Sequence, residues 1–574
     1  MKKKIFVKSA FVGILALGMV SCADDLNQNP IDPKSSKTYN ATELLAKQYA
    51  TLGLTGQTGP AGKGDISNDE GESGFYRTTF NLEELCSDET IWAWQNDNDI
   101  PAITNIAWTS ASDRVNWAYQ RLAYDIQLYN FYLSETEGQK DDANVKSYRA
   151  EVRFLRALHY WYYLDLFRKA PFKTEYNPAT LPVEKAGKDL YDWIDQELTE
   201  IEPELASIGS FNNAENFGRA DQGAAYMLHA RLALNSAVYT NGQVKDYQKA
   251  IDYCDKVIGS GKYALSTETK NGWSGYKQLF MGDNDKNEQA MKEIIFPIRQ
   301  DGLKAEAYAT STYLVSSTAT SGMPYLGTSN QWSCNFARYS CLQFFFNEPE
   351  KIKLATADLH DKYVKDYTAA NGKAPGSSEA DIIAEDKALG TSTADVVKLA
   401  GDDRALFYPG VGGGYRKLTA NQITGFLSGL SFAKWTNVYS NGGTPSDATF
   451  SDTDVPLFRL AEAFLTRAEA EWRLNGSDAK AVADINALRT RAHAPQVTSV
   501  DADLLIKEWG KEFFMEGRRR SDLVRFGLFT GNKYIWSFKG GVAKGASVDK
   551  HYNVYPIPAK DISNNPGLTQ NAGY

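Results

Sequence analysis

Residues 219–234 read Arg-Ala-Asp-Gln-Gly-Ala-Ala-Tyr-Met-Leu-His-Ala-Arg-Leu-Ala-Leu. Small and large side chains alternate through this stretch at helical spacing, with alanines where a second helix must approach closely. Tyr247, Ala250, Tyr253 and Val257 then mark another helical face. Residues 222–238 and 247–258 are therefore expected to form an antiparallel pair joined by a short turn. The pattern recurs outward in both directions. Ala150, Phe154, Ala157, Leu158, Trp161 and Leu164 line one face, and Leu457, Leu460, Ala461, Phe464, Leu465, Ala468 and Trp472 line another. Residues 114–133, 190–205, 479–491 and 502–516 complete the set of expected helices.

The alternation is of the tetratricopeptide type, although no strict repeat of about 34 residues is present. The expected fold is mainly α: a degenerate tetratricopeptide-type scaffold of stacked helix pairs. From about residue 266 to 453 glycine, serine and threonine rise and helical periodicity fades. Pro375-Gly-Ser-Ser and Gly410-Val-Gly-Gly-Gly-Tyr are turn signals. The expected body, 38–574, thus has a helical scaffold over 38–265 and 454–530. A large loop-rich, irregular insertion over 266–453 carries the binding surface, and a tail runs over 531–574. Loops on a rigid scaffold are where binding tends to reside.

The first residues carry a different message. Lys2, Lys3 and Lys4 precede an apolar run from Ile5 to Val20, and Ser21-Cys22 follows. A spanning helix needs roughly 20 apolar residues, so this shorter run reads as a cleaved signal over 1–21. A cysteine at the cleavage point is similar to a bacterial lipoprotein signal, with Cys22 the acylated residue; an ordinary secretory signal with a chance cysteine is the alternative. Residues 22–37, polar and proline-bearing, read as a lipidated tether. Lipid at Cys22 is then the expected link to a membrane.

The net charge of −9 argues against a nucleic-acid binder, which needs a clustered basic face. Cys86, Cys254, Cys334 and Cys341 are too few for a disulfide scaffold and are expected as buried free thiols. No His-Glu-x-x-His, Gly-x-Ser-x-Gly or phosphate loop is present. His159 and His229 sit in alanine- and aromatic-rich helical contexts and read as packing residues. Nothing marks a glycosidase carboxylate pair, although 71 acidic residues leave one formally open. No catalytic cofactor is expected. Arg518-Arg519-Arg520 is expected at a helix end, pairing with Glu512, Glu516 and Asp522. Asp283, Asp285 and Asn287 alternate oxygen donors as calcium loops do, but without the glycine and glutamate of an EF-hand. A solvated acidic turn is the other reading.

Twelve Trp, 32 Tyr and 27 Phe make up 12% of the chain. Many must be core, yet Tyr and Trp also offer flat faces that suit a sugar. Asp69-Glu-Gly-Glu-Ser-Gly-Phe-Tyr-Arg77 leads into Ser87-Asp-Glu-Thr-Ile-Trp-Ala-Trp-Gln-Asn-Asp97, where Trp92 and Trp94 face one side if the segment is extended, whereas in a loop either one projects. Tyr308 and Trp332 form a second such group in the insertion.

Several ordered motifs now accumulate. They are Ala150-Glu-Val-Arg-Phe-Leu-Arg-Ala-Leu-His-Tyr, Leu166-Phe-Arg-Lys-Ala-Pro, Phe217-Gly-Arg-Ala-Asp, Leu460-Ala-Glu-Ala with Arg467-Ala-Glu-Ala, Ile485-Asn-Ala-Leu-Arg-Thr-Arg-Ala, Phe514-Met-Glu-Gly-Arg-Arg-Arg-Ser-Asp-Leu-Val-Arg-Phe-Gly, Tyr555-Pro-Ile-Pro and Gln570-Asn-Ala-Gly-Tyr. With them the chain resembles the SusD family of outer-membrane glycan-binding lipoproteins over nearly its whole length. The resemblance implies a non-enzymatic binder of starch or malto-oligosaccharide that serves a SusC-like TonB-dependent transporter. It also implies an exterior-facing position on the cell outer membrane, with other glycan-binding lipoproteins and a surface amylase as further partners. A same-family binder of a different glycan, or a surface glycoside hydrolase, are the alternatives. By matching motifs the implied sugar arc is Trp94, Tyr308 and Trp332, with polar contacts from Asp69 and Arg77. The family's asparagine near Trp-Ala-Trp aligns with Asp97, and Asn96 is adjacent. The resemblance also favours calcium at Asp283, Asp285 and Asn287.

Overall fold

The structure is a computed structural model that describes residues 39–56, 64–321, 323–346 and 428–574, with much of 357–426. Cys22, the signal and the tether lie outside the described residues. The helical expectation holds. The longer helices of the scaffold are α1 Ala41–Gly53, α2 Phe75–Glu84, α3 Asp113–Glu135, α4 Ala143–Phe167, α5 Gly187–Ile201, α6 Gln222–Leu234, α7 Tyr247–Gly259, α8 Leu460–Asn475, α9 Ala479–Arg491 and α10 Ala502–Phe513. Among the described residues no helix is long and apolar enough to cross a membrane.

Helices pack as sequential pairs: α3 on α4, α4 on α5, α6 on α7, and α8 on α9. The stretch quoted first explains the close approach. Ala224, Ala225, Ala230 and Ala233 of α6 are fully buried, as are Ala461, Ala463, Ala468 and Ala470 of α8. Helix α7 packs on α8, so pairs on either side of the insertion form one stack. Strand β1, Ile294–Ile298, pairs antiparallel with β2, Val455–Arg459, and closes the insertion at its base. Leu457 therefore belongs to this strand rather than to the α8 face on which its spacing placed it. Acidic N-caps set several helix starts: Asp221 accepts from the Gly223 amide at 2.8 Å, and Asp478 accepts from Ala481 at 2.8 Å.

Buried ion pairs join the stack. Glu151 of α4 takes the Arg219 guanidinium and the Tyr49 hydroxyl. Glu462 of α8 receives both Arg231, at 2.6 Å, and Arg518, at 2.9 Å. The Arg518–Arg520 run pairs with Asp522 as expected but otherwise differs. It opens a helix, Arg519–Arg525, after a turn with positive φ at Met515 and Gly517. Its three guanidiniums reach Glu462 and Asp522, Asp88, and Glu83 respectively. Glu512 and Glu516 are bound instead by Arg459. The turn aims the run at α2 and the segment after it, away from the helix that precedes it.

His159 and His229 are buried and stack on Phe75 and Tyr253, with ring centroids 4.5 and 4.1 Å apart. All four described cysteines are buried free thiols. The insertion is more regular than expected: Ser311–Thr318, Tyr339–Phe345, Ala357–Asn371 and Thr393–Ala400 are helices within it. Every residue of Ser311–Thr318 is buried, so no polar face exists to reveal a period.

Candidate functional site

Three loops converge on one aromatic surface. The first, residues 65–74, leads into α2 and carries Asp69. Gly71 sits at φ +82°, and a Cβ there would lie 2.6 Å from Tyr308 Cβ, so only glycine lets this loop close on Tyr308. Glu70 secures the contact by accepting the Tyr308 backbone N–H at 3.0 Å. Burial raises the Glu70 carboxyl above its usual range, and that amide offsets part of the rise. Asp69 itself is exposed.

The second loop leaves the short strand Thr90–Trp92, which pairs antiparallel with Asn335–Ala337. Trp92 is buried at the strand end, whereas Trp94 lies past it and is half-buried. The two indoles meet edge to face at 6.5 Å. The loop alternative holds: Trp92 supports the surface from beneath, and Trp94 presents its ring on it. The Trp92 indole N–H donates to Asp97 Oδ2 at 3.0 Å, so the Asp97 carboxylate already holds this loop. Asn96 is exposed beside Trp94, with its side chain in no hydrogen bond among the described residues.

The third loop brings Trp332, whose backbone N–H donates to the Ser316 carbonyl at 2.9 Å. Its ring is 5.5 Å from Tyr308 and 6.3 Å from Trp94, each pair turned by 32°. Tyr308, Trp332 and Trp94 thus form a stepped row of half-buried rings. Arg77 lies behind the row. It is buried, with its guanidinium 4.4 Å from the Tyr313 ring and 5.9 Å from Trp332, and its Nε makes no hydrogen bond. Two contributors had no mark in the sequence. Phe450 extends the row beyond Tyr308 at 5.2 Å, and Asn330 donates to the Tyr308 hydroxyl at 3.3 Å. A lone Phe in a Ser-Asp-Ala-Thr-Phe-Ser-Asp run is the only hint the chain offers.

The row is an open surface. A cleft of about 510 Å³ lies elsewhere, between α1, Phe217 and Pro297. Small ligands favour enclosed pockets, but a polymer needs an uninterrupted face, so the row and not the cleft is the candidate site.

The acidic turn resolves differently from its spacing. Asp283 is buried and accepts the Ser440 N–H and Oγ–H at 2.7 and 2.8 Å. Asn287 caps the helix Glu288–Glu293 through Oδ1 and donates to Gln278 at 2.8 Å. Asp285 pairs with Arg299 at 3.1 Å, and the same guanidinium lies 3.2 Å from Asp454 Oδ2. Burial pushes Asp454 up to about 7. Among the described residues no three acidic, His or Cys side chains converge as metal ligands. Asp283 and Asn287 are occupied by protein partners. Asp285 and Asp454 share the Arg299 guanidinium, which already supplies positive charge there.

The fold and site define a class: a helical scaffold presenting an aromatic, carbohydrate-type binding face. Comparison with known proteins narrows it. A family model described as the SusD family matches residues 292–574. The starch-binding protein SusD of Bacteroides thetaiotaomicron is 50% identical over 574 residues, spanning 100% of this chain and 99% of that protein. The chain belongs to the SusD family, whose members are binding proteins and not enzymes. Solved structures share the fold. A SusD-like protein from Bacteroides fragilis superposes with TM-score 0.64 at 17% identity, covering 95% of this chain and 100% of that one. Surface glycan-binding protein A from Bacteroides thetaiotaomicron, in complex with laminarihexaose, gives 0.61 at 17% identity, covering 92% and 98%.

Proposed function

We propose that this protein binds starch and long malto-oligosaccharides at the cell surface, without cleaving them, and passes them to a SusC-like TonB-dependent transporter. The stepped row Tyr308–Trp332–Trp94 carries this reading, because successive rings turned by 32° follow a curved chain better than a flat one. The starch-binding relative at 50% identity supports the choice of α-glucan. Each platform contributes about 1 kcal/mol beyond area burial, so affinity rises with chain length as more rings and sites engage. A preformed curved polymer also loses less entropy on docking. Asp69 and Asn96 border the row and offer polar groups to hydroxyls. Arg77 presents its buried guanidinium from behind, while Asp97 acts through the loop it holds. Retardation of the wild-type protein in an amylopectin gel tests the assignment. The laminarihexaose complex of a fold neighbour gives the second reading, a different glycan.

Lipid at Cys22 on the outer membrane's exterior face places the row in the plane of the transporter. Cys22→Ser is expected to move the protein from the membrane to the soluble fraction with glucan retardation unchanged. Loss of both on fractionation and gel assay would contradict the tether reading.

A structural calcium ion at Asp283, Asp285 and Asn287 belongs to this proposal, and it would have to displace Arg299 from Asp285 and Ser440 from Asp283. Millimolar calcium chloride is then expected to raise the thermal midpoint above that in EGTA, and Asp285→Asn to remove the difference. Equal midpoints for the wild type would reject the ion.

A further inference from the structure

Helix α3 has an unusual outer face. Between residues 116 and 131 the side chains that reach its surface are Asn116, Trp117, Gln120, Ala123, Tyr124, Gln127, Leu128 and Phe131. Not one is charged, although exposed helix faces ordinarily carry charged residues. Trp117 and Tyr124 are seven residues apart, which sets them about 10.5 Å apart along one stripe. Neither ring packs on the hydrophobic core. Each instead lies over a buried guanidinium, Arg114 beneath Trp117 and Arg121 beneath Tyr124, both at 5.5 Å. Among the described residues the side chains of Gln120 and Gln127 make no hydrogen bond, and Asn116 Oδ1 is buried without a partner.

The two arginines tie this stripe to the aromatic row. Arg114 pairs with Glu72 at 2.9 Å and donates through Nε to the Asn98 carbonyl at 2.7 Å. It therefore holds both the Asp69 loop and the loop that follows Trp94. Arg121 pairs with Asp65 at the start of the Asp69 loop. At its far end the stripe runs into a cleft of about 430 Å³, where Gln127 faces Tyr176, Asn564 and Asp561. Among the described residues Asp561 Oδ2 is buried and accepts no hydrogen bond.

From this geometry we infer that the outer face of α3 is a second glucan track, on which Trp117 and Tyr124 stack sugar rings and, at its far end, Asp561 accepts a hydrogen bond from a hydroxyl. The inference rests on the glucan reading of the aromatic row and extends it. Neutral rings and free amides match a neutral polyhydroxyl chain, which can cover this uncharged face without desolvating any ion. Arg114, beneath Trp117, bonds to both loops of the row, so the two faces share one support.

The test compares short and long ligands on the full-length mature protein. Trp117→Ala/Tyr124→Ala is expected to bind maltoheptaose as the wild type does, since the row is intact, and to lose about tenfold in retention by amylopectin. Gln120→Arg, which places a long cation between the rings without removing packed atoms, is expected to reproduce the loss. Unchanged amylopectin retention in both variants would overturn the track, and is also the result if the face docks a protein. A wild type that amylopectin does not retain would overturn the glucan reading itself.

Discussion

Trp332→Ala is expected to weaken maltoheptaose binding about thirtyfold or more while leaving the fold intact. Trp332 is the middle ring of the row, in contact with Tyr308 on one side and Trp94 on the other. Its loss removes one stacking face and separates the two that remain, so a bound chain forfeits its central platform and its continuity. Two kcal/mol, about the combined worth of the ring's stacking and its apolar cover, corresponds to that thirtyfold change. The triple variant Trp94→Ala/Tyr308→Ala/Trp332→Ala is expected to show no calorimetric binding. Stability is a separable readout, because Trp332 is half-buried and its loop is anchored through backbone bonds to Ser316. An unchanged affinity in the triple variant would remove the row from the mechanism.

Glu512→Ala is expected to destabilise the protein by about 3–5 kcal/mol, the range for removing one partner of a buried charge cluster. Three guanidiniums converge on this carboxylate: Arg459 at 2.6 Å, Arg404 at 3.0 Å, and Arg491. All four side chains are fully buried. Without Glu512 the arginines keep their charge in a dry interior with only Glu293, Glu508, Glu516 and Asp402 to balance it. The urea midpoint at constant slope reads the loss. The same chemistry fixes the acid limb. The arginines around Glu512 hold it far below the ordinary carboxylate range, and Arg525 and Arg473 lower Glu469 to about 2, in each case outweighing burial. A carboxylate depressed in the folded state contributes stability that is complete above its unfolded value, and that is lost as pH falls through the folded one. Stability is therefore expected to fall from about pH 4.5 towards 2. Asp221, which burial pushes up to about 6, acts in the opposite sense: its contribution is full below about pH 4 and lost as pH rises through 6.

The network also explains what in this chain is legible from sequence. Helices with a wet side announce themselves: α9, Ala479–Arg491, and α7, Tyr247–Gly259, agree with their apolar spacing nearly to the residue. Helix α2, Phe75–Glu84, is buried at all ten positions, so its polar residues point into the protein and mark no solvent face. The motifs behind the family resemblance prove to be largely scaffold. Glu151 and Arg219 come from two of them and pair with each other, and Arg467 of a third pairs with Asp484, the residue just before a fourth. They identify the fold through its buried ions, and the sugar row follows only by correspondence. Trp94, Tyr308 and Trp332 obey no spacing rule because three separate loops deliver them. Phe450 stayed hidden for the same reason. Asp97 shows the limit of that correspondence, since proximity to a platform does not say whether a carboxylate faces the ligand or the neighbouring Trp92.

The central claim is that three loop-borne rings grip an α-glucan. Native electrophoresis through amylopectin, with the wild type and the Trp94→Ala/Tyr308→Ala/Trp332→Ala variant side by side, tests it most directly. Strong retardation of the wild type and free migration of the variant is the predicted result. Free migration of both, or equal retardation of both, would contradict it.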